Sequence, residues 1–453
     1  MTTSHTTQAV DTLIHARYVI PVNPKGVVLE HYSAALLDNK IISILPTTEA
    51  LSLFTATESF ELKQHVLMPG LINAHGHAAM SLFRGLADDL PLMEWLNDHI
   101  WPAEGEWVSE NFVRDGTELA IAEMIRSGTS CFSDMYFFPN IAAKTANKIG
   151  IRAQFCCPVL DFPTIWGTGP DDYIEKALKL SDEYKSNSLI NIGLGPHAPY
   201  TVSDQPLEKI RDIALESNLP IQIHLHETQH EVDDAIIQSG QSPIQRLKKL
   251  GLIGPDIPLQ CVHMTALSPQ DIEILSTSNV QIIHCPESNL KLASGFCEAS
   301  KLLDSGINVA LGTDGAASNN DLDMFGEMRT AALIAKPIAK NAAALDAATA
   351  LEMATLGGAK ALGLDQKTGS IEIGKCADLI AINLDALNSQ PSFDPISDIV
   401  YSVASNQVSH HWINGKLLLQ DGKLLNLDVK NIISKAQQWA AKIKSTDTSI
   451  TNK

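Results

Sequence analysis

Histidine and acidic residues recur in this sequence directly after short apolar runs. One run ends in Asn73-Ala74-His75-Gly76-His77, and two histidines at i and i+2 on a strand point to the same side. Neutral imidazole is the commonest metal ligand in proteins. His75 and His77 therefore predict one half of a metal site.

Two later runs carry candidates for the other half of this site. The run that ends at residue 227 contains His224 and His226, and spacing alone leaves open which of them is the ligand. Asp314, which precedes Gly315, offers a hard oxygen ligand that can also accept a proton. Four nitrogen and oxygen ligands with one water suit zinc, with iron or manganese as alternatives. Such a metal lowers the pKa of its water so that hydroxide forms near neutrality.

Further polar residues follow runs of the same kind. Glu227 lies three residues after His224, where a carboxylate can face a substrate without binding the metal. His197 follows a fourth run and His263 ends a sixth. Each histidine alone is more typical of a satisfied polar residue. Because five of the eight runs end in His or Asp, we predict that all these side chains lie on one rim.

The fold must bring the ends of these runs together. Amphipathic helical stretches alternate with eight apolar runs, which are Val66–Asn73, Gly128–Met135, Ile151–Val159, Ile190–Gly195, Leu219–Leu225, Ile257–Val262, Val280–His284 and Ile307–Gly312. Eight βα units over about 250 residues are typical of a (β/α)8 TIM barrel, whose active sites lie at the C-terminal strand ends. An open doubly wound sheet is the alternative, and it is disfavoured because no G-x-G-x-x-G follows the first run.

The two ends of the chain have a different sequence pattern from the predicted barrel, with short strands and turns in place of alternating strands and helices. Short strands and turns fill residues 11–66, and strand-like segments return at 370–373, 377–382 and 410–418. We predict that both ends form one small β-sandwich domain. The predicted domains are residues 1–66 and 369–425 for the β domain, 67–368 for the catalytic barrel, and 426–453 for a terminal helix (429–444) and a disordered tail (446–453).

Composition excludes several classes of protein. The 453 residues are 45% hydrophobic with a formal net charge of −19, so we expect no nucleic-acid partner and no binding to anionic membranes. The seven cysteines contain no C-x-x-C pair, and no apolar stretch reaches the length of a membrane span. The polar N-terminus lacks an apolar signal core, so a cytoplasmic enzyme is expected.

These motifs together resemble the amidohydrolase superfamily. The closest branch is the 5-methylthioadenosine/S-adenosylhomocysteine deaminases, which are related to triazine (TRZ/ATZ-type) chlorohydrolases and guanine deaminases. The segments that carry the resemblance are 69–77, 84–90, 94–96, 195–197, 224–227, 261–263, 288–292 and 312–320. The resemblance covers about residues 10 to 420.

The resemblance implies a role for each candidate residue. One Zn²⁺ per subunit would bind to His75, His77, His224 and Asp314, which selects His224 over His226. Asp314 would accept a proton from the attacking water, and Glu227 would protonate the purine nitrogen beside the carbon under attack. His263 would orient the hydroxide. The implied substrate contacts are Trp95 with the purine, Glu104 with the ribose hydroxyls and His197 with the nucleoside.

The implied reaction is hydrolytic deamination of an adenine nucleoside. Family members that accept S-adenosylhomocysteine hold its carboxylate with arginines near the third strand end, where this sequence has Cys157. No arginine occurs between Arg152 and Arg211, and the loop at 160–169 is apolar and aromatic. We therefore expect 5′-methylthioadenosine to be preferred to S-adenosylhomocysteine and adenosine, with the 162–166 loop contacting the methylthio group. The family also suggests a homo-oligomer, with a dimer expected.

Two other functions are considered alternatives. A guanine deaminase or a triazine-type aminohydrolase or chlorohydrolase would use the same metal chemistry on a ring without ribose. A non-catalytic metal-binding barrel would keep the fold without turnover. Glu104 separates the first alternative from a nucleoside deaminase, because a substrate without ribose should not depend on this carboxylate.

Overall fold

Two eight-stranded sheets organise the structure, a computed structural model that describes residues 7–446. The N-terminal strands are β1 (Gln8–Val19), β2 (Leu29–Leu37), β3 (Lys40–Pro46) and β4 (Phe54–Pro69). The barrel strands are β5 (Leu71–Asn73), β6 (Thr129–Asp134), β7 (Arg152–Val159), β8 (Ile190–Pro196), β9 (Ile221–Leu225), β10 (Leu259–His263), β11 (Gln281–His284) and β12 (Asn308–Leu311). The C-terminal strands are β13 (Leu379–Asn383), β14 (Val408–Ile413), β15 (Lys416–Gln420) and β16 (Lys423–Leu424).

Strands β5 to β12 are parallel and follow one another in chain order around a barrel. The first and last strands meet just beyond their ends, where Gly76 and Asp314 form a parallel bridge. The backbone N–H of Ala74 donates to the Leu311 carbonyl at 2.9 Å, and that of Asp314 donates to the His75 carbonyl at 3.1 Å. These contacts close the circle, so the predicted (β/α)8 barrel is confirmed.

Helices connect the barrel strands and cover the outside of the barrel. The α-helices are α1 (Thr47–Leu53), α2 (Leu92–Glu94), α3 (Trp101–Trp107), α4 (Glu110–Arg126), α5 (Pro139–Ile149), α6 (Pro170–Tyr184), α7 (Asp204–Ser217), α8 (Gln229–Ser239), α9 (Pro243–Lys249), α10 (Pro269–Ser276), α11 (Pro286–Lys291), α12 (Ala299–Asp304), α13 (Met324–Ala339), α14 (Ala347–Met353), α15 (Leu356–Ala361), α16 (Pro395–Tyr401) and α17 (Val429–Thr446). Short 3₁₀ helices lie at Ala78–Phe83, Leu387–Ser389 and Ser405–Gln407, and a π-helix lies at Trp95–Ile100. None of the helices described is both long and apolar enough to cross a membrane.

The second sheet takes strands from both ends of the chain, as predicted. Its order is β16-β15-β14-β13-β4-β1-β2-β3, so the C-terminal strand β13 pairs antiparallel with β4. Ile14, Leu36, Leu379 and Trp412 are buried in its sandwich-like core. The domain boundaries at 66, 368 and 425 stay a prediction.

Three local predictions differ from the structure. The run 66–73 is not one strand, because β4 ends at Pro69 and β5 begins at Leu71. A Cβ on Gly70 between them would lie 1.5 Å from the Ser130 Oγ, so the chain passes too closely here for any side chain. Residues 370–373 form no strand. The last helix continues to Thr446, and the predicted disordered tail otherwise lies outside the described residues.

Candidate active site

The four residues proposed as metal ligands converge at the C-terminal mouth of the barrel. His75 and His77 follow β5, His224 lies within β9 and Asp314 follows β12. One ligand atom from each lies within 4.8 Å of the others. The His77 and His75 Nε2 atoms lie 3.1 and 3.5 Å from the Asp314 Oδ1. Strand ends that are far apart in sequence therefore build one compact group.

Each of the three histidines presents its Nε2 to the centre of this group because its Nδ1 is already bonded. The His77 and His224 Nδ1 atoms contact the carbonyl oxygens of Met135 at 2.6 Å and His197 at 2.7 Å. Carbonyl oxygens only accept, so both Nδ1 atoms carry the proton. The His75 Nδ1 donates likewise to the Gln222 Oε1 at 2.7 Å. The three Nε2 atoms are therefore the ring nitrogens that face a bound ion.

The electrostatics of this group fit a bound divalent cation. The His75 and His224 Nε2 atoms lie only 3.2 Å apart, although neither carries a proton in this arrangement. Burial lowers the pKa of both imidazoles, so protonation does not readily relieve the contact between the two lone pairs. Three imidazole nitrogens and one carboxylate oxygen are a donor set that suits zinc and neighbouring transition metals.

Asp314 has its two carboxylate oxygens in different environments. Oδ1 faces the histidines, whereas Oδ2 accepts hydrogen bonds from Ser288 and Ser318, each at 2.7 Å. Burial works to raise the pKa of Asp314, but the close contacts of its Oδ1 with the His75 and His77 side chains outweigh burial and hold the pKa well below its usual value. Its backbone is left-handed, with φ of 60°. Asp314 is therefore an ionised carboxylate in a constrained orientation.

Glu227 and His263 face each other beside the metal-ligand group. The Glu227 Oε1 lies 3.8 Å from the His263 Nε2. Burial raises the pKa of Glu227 to about 8, and the Asp314 carboxylate adds to this shift. Burial lowers the pKa of His263. At neutral pH the pair is thus an acid that holds its proton and an imidazole that is neutral.

A cavity of about 350 Å³ opens directly above these residues. The proposed site residues that line it are His77, Trp95, Glu104, His197, His224, Glu227, His263 and Asp314. His75 is fully buried beneath it. The cavity lies at the end of the barrel where the fold predicts an active site. One space thus touches nearly all of the proposed metal, catalytic and substrate residues.

The proposed substrate residues occupy different parts of the cavity wall. Trp95 is buried in the π-helix, a conformation that is frequent at functional sites. Glu104 lies in α3, where burial raises its pKa to about 7 and the Tyr136 hydroxyl and His77 lower it. Burial lowers the pKa of His197 to about 4, so its ring is neutral at physiological pH.

The loop after β7 forms the outer, apolar part of the cavity. Phe162 and Ile165 line it and are 47% and 54% exposed, so both present apolar surface to an incoming molecule. Trp166 is placed differently from our expectation. It stacks on Tyr173 with ring centroids 5.6 Å apart and does not line the cavity. Trp166 therefore packs against Tyr173 of helix α6 and stabilises the loop without contacting the cavity.

The structure also separates His224 from its alternative. His226 donates from Nδ1 to the Ala266 carbonyl at 2.6 Å, and its Nε2 accepts from the Ile244 backbone N–H. Both ring nitrogens are thus used away from the metal-ligand group. Regular strand alternation would point His224 and His226 the same way, which is why the sequence is ambiguous. The left-handed backbone at His226, with φ of 50°, breaks that alternation and turns its side chain away.

Several residues that hold the site were not predicted from their spacing. Gln222 fixes His75, Ser288 and Ser318 hold Asp314, and Asn289 contacts His263. A signal existed for Gln222, because it lies two residues before His224 on one strand and so points into the barrel with it. The serines and Asn289 come from loops and helices beyond the strands, where alternation gives no guide.

Comparison with known proteins agrees with this geometry. Residues 66–418 match the model of the amidohydrolase family, and the chain belongs to that family. The fold, the mouth of the barrel and the histidine–aspartate group are those of a metal-dependent hydrolase.

Individual relatives narrow the comparison. A protein from Saccharophagus degradans named 5-methylthioadenosine/S-adenosylhomocysteine deaminase is 56% identical over 435 residues, which cover 96% of this chain and 97% of that protein. A crystal structure of an adenosine deaminase from Xanthomonas campestris with bound zinc is 46% identical, with a TM-score of 0.96 over 97% of this chain and 100% of that one. Atrazine chlorohydrolase from Arthrobacter aurescens, at 22% identity and a TM-score of 0.88 over 94% and 99%, shares the fold.

Proposed function

We propose that this protein deaminates 5′-methylthioadenosine to 5′-methylthioinosine and ammonia. The observation that carries the proposal is the placement of a carboxyl group that keeps its proton, Glu227, across one cavity from the ionised Asp314. Deamination of adenine requires both a proton donor to the ring and an acceptor for the proton of water. The names of the relatives that share half or nearly half of its residues support the same reaction.

His75, His77, His224 and Asp314 would hold one Zn²⁺, with Fe²⁺ or Mn²⁺ as alternatives. A divalent cation in such a site supplies Lewis-acid chemistry that activates water near neutral pH. The zinc in the similar structure from Xanthomonas campestris supports this assignment. Gln222 and the two backbone carbonyls keep the three imidazoles in the ligating tautomer.

Glu227, His263 and Asp314 would carry the proton transfers. Glu227 donates its proton to the ring nitrogen beside the amino-bearing carbon, which makes that carbon more electrophilic. Asp314 accepts a proton from the attacking water, and His263 Nε2 orients that water by accepting a hydrogen bond. When the carbon–nitrogen bond breaks, the amino group leaves as ammonia with the protons passed through these groups.

Trp95, Glu104 and His197 would bind the nucleoside. The indole of Trp95 packs against the purine, and the Glu104 carboxylate accepts hydrogen bonds from the ribose hydroxyls. His197 contacts the nucleoside with a neutral ring. A guanine deaminase or triazine hydrolase is less well supported, because a carboxylate at the position of Glu104 has no partner on a ring without ribose.

The preference for a methylthio group rests on the outer cavity. Phe162 and Ile165 offer apolar surface, and among the described residues that line the cavity there is no lysine or arginine to pair with a carboxylate. A missing charge-assisted hydrogen bond costs about 1.5–3 kcal/mol, or roughly 10- to 100-fold. We therefore rank 5′-methylthioadenosine above S-adenosylhomocysteine. A cytoplasmic location, a homodimer and the absence of nucleic-acid or membrane partners stay predictions.

The test compares substrates on zinc-loaded protein. We expect kcat/KM for 5′-methylthioadenosine to exceed that for S-adenosylhomocysteine, with adenosine below the former. Guanine and an aminotriazine serve as ribose-free competitors. Turnover of a ribose-free ring that is indifferent to Glu104→Ala would replace the nucleoside proposal, and an advantage for S-adenosylhomocysteine would contradict the preference.

A further inference from the structure

Two adjacent buried residues in helix α11, Ser288 and Asn289, contact Asp314 and His263. We propose above that Asp314 accepts a proton from the attacking water and that His263 orients this water. The Ser288 hydroxyl donates to the Asp314 Oδ2 at 2.7 Å, and the His263 Nδ1 lies 2.8 Å from the Asn289 Oδ1. Ser288 and Asn289 are 0% and 2% exposed and do not line the cavity. They therefore act on the site only through other residues.

The contact with Asn289 determines which ring nitrogen of His263 carries the proton and which one presents a lone pair to the cavity. An amide oxygen only accepts, so the Nδ1 of His263 carries the proton and Nε2 presents a lone pair. That lone pair points toward Glu227, whose Oε1 lies 3.8 Å from it. This distance is too long for a direct hydrogen bond, but an oxygen atom to one side of the line between the two atoms can contact both.

His263 has an unusual backbone conformation, so contacts with other segments are needed to fix the orientation of its ring. Its φ of 76° lies in the left-handed region, and that of the next residue, Met264, is 51°. Such conformations persist only where the surroundings enforce them. Among the described residues, the hydrogen bond from Nδ1 to Asn289 is the only one that ties this ring to a different segment of the chain.

Stability does not explain an asparagine at position 289. In the described part of the chain, its side chain makes one hydrogen bond, to His263, and its Nδ2 is buried without a partner. A buried amide group without a partner destabilises the folded protein, whereas an apolar residue of similar size would avoid that cost. The residue is thus explained by what its Oδ1 does for His263.

We propose that Asn289 is a positioning residue that keeps His263 in the Nδ1–H tautomer, so that Nε2 accepts a hydrogen bond from the attacking water. Ser288, one residue earlier, donates to the Oδ2 of Asp314, the oxygen that faces away from the histidines. One turn of helix α11 therefore orients both His263 and Asp314. The catalytic consequence rests on the proposed deamination, whereas the tautomer itself does not.

The kinetic test uses Asn289→Leu, Asn289→Asp and, as a matched control, Ser294→Ala. Ser294 is buried nearby, and its Oγ has no hydrogen-bond partner among the described residues. Asn289→Leu should lower kcat by roughly 10- to 100-fold with unchanged KM and metal content. Asn289→Asp keeps an acceptor oxygen and should restore most of kcat at alkaline pH, where imidazole is neutral. Ser294→Ala should match the wild type.

A spectroscopic readout separates this inference from the proposed function. The ¹⁵N shifts of the His263 ring, assigned with a His263→Gln variant, report which nitrogen carries the proton without any substrate. We expect Nδ1–H in the wild type and its loss in Asn289→Leu. A wild-type Nε2–H tautomer, or equal kcat in Asn289→Leu and the wild type, would overturn the inference. If no nucleoside is turned over but the tautomer depends on Asn289, the deamination fails and the positioning role stands.

Discussion

At the scale of single residues, two buried carboxyl groups of one cavity have opposite protonation states because their neighbours differ. Glu227 and Asp314 line the same cavity, yet the first keeps its proton at neutral pH and the second is ionised. The difference comes from partners: Asp314 has two histidines and two serines to stabilise its charge, whereas the Glu227 carboxyl is desolvated beside the Asp314 carboxylate and its contact with the His263 Nε2 is 3.8 Å long. Environments that separate two pKa values in this way support the acid role proposed for Glu227 and the base role proposed for Asp314.

Glu104 should make nucleoside binding depend on pH. Burial raises its pKa to about 7, so the carboxyl becomes protonated as the pH falls through neutrality. Only the ionised form accepts hydrogen bonds from both ribose hydroxyls, so KM should rise as the pH is lowered through this range. A bound divalent cation favours the ionised form and shifts the dependence to lower pH. The pH dependence of KM is measured from initial rates of the wild type and Glu104→Gln at a series of pH values.

Glu104→Gln should show a higher KM that no longer changes with pH in this range, because the amide does not titrate. A wild-type KM that is independent of pH, or an identical pH dependence in the variant, would remove Glu104 from ribose binding.

Strand alternation explains which site residues could be predicted. The common direction of His75 and His77 follows from a period of two, whereas the same period leaves His224 and His226 equivalent and the family resemblance selects His224. Asp314 and Glu227 follow from the carboxyl ends of parallel strands meeting at one rim. Asn289, Ser288 and Ser318 could not be found in this way, because they reach the site from helices and loops whose path depends on tertiary packing.

At the scale of elements, helix α4 holds the segment that follows His77. The 3₁₀ helix at Ala78–Phe83 packs so closely on α4 that a Cβ on Gly116 would lie 2.5 Å from the Ala79 carbonyl oxygen. The C-terminal helix α17 lies over the same contact, where the Trp439 indole donates to Asp115 at 3.1 Å and its ring packs on Phe112. The far end of the chain thus supports the segment that follows the proposed metal ligand His77.

Gly116→Ala should destabilise the protein although alanine favours a helix. The added methyl group meets backbone that cannot move freely, and overpacking of this kind costs about 1–3 kcal/mol. Thermal unfolding measures the loss, and chelator competition should show weaker zinc binding because the segment after His77 shifts. Gly254→Ala is the control, since nothing lies within 4 Å of its Cβ. Equal melting temperatures for Gly116→Ala and the wild type would show that the contact relaxes easily.

The loop after β7 should discriminate between 5′-substituents. Ile165→Ala removes apolar surface from the outer cavity, so KM for 5′-methylthioadenosine should rise about 5-fold, which corresponds to about 1 kcal/mol. KM for adenosine, which lacks the methylthio group, should change little. Ile237→Ala, on an exposed face of α8, is the control. An equal rise for both substrates would mean that the loop does not contact the 5′-group.

At the scale of the whole molecule, one buried ion pair connects the barrel to the sheet made from the chain ends. Arg152 in β7 binds Asp378 just before β13 through two hydrogen bonds of 2.9 and 3.2 Å, and both residues are buried. The barrel and the separate β domain were predictable from periodicity and from the change in texture at the two ends. This connection was not, because its partners lie 226 residues apart.

Asp378→Ala should be strongly destabilising because it leaves the Arg152 guanidinium buried and unpaired. Breaking a buried pair in this way costs about 3–5 kcal/mol. Asp171→Ala, which removes an exposed pair with Lys209, should cost at most about 1 kcal/mol. Chemical denaturation of both variants measures the difference, and similar midpoints would contradict the structural role given to Asp378.

The deamination of a nucleoside by this barrel is tested most directly by turnover. Zinc-loaded protein is mixed with 5′-methylthioadenosine, while ammonia release and the adenine-to-hypoxanthine absorbance change are followed together. The proposed mechanism predicts rapid turnover that is lost in Glu227→Gln although that variant still binds zinc. Absence of turnover with 5′-methylthioadenosine, adenosine and S-adenosylhomocysteine alike would contradict the nucleoside deaminase, and full activity in Glu227→Gln would contradict the proposed proton donor.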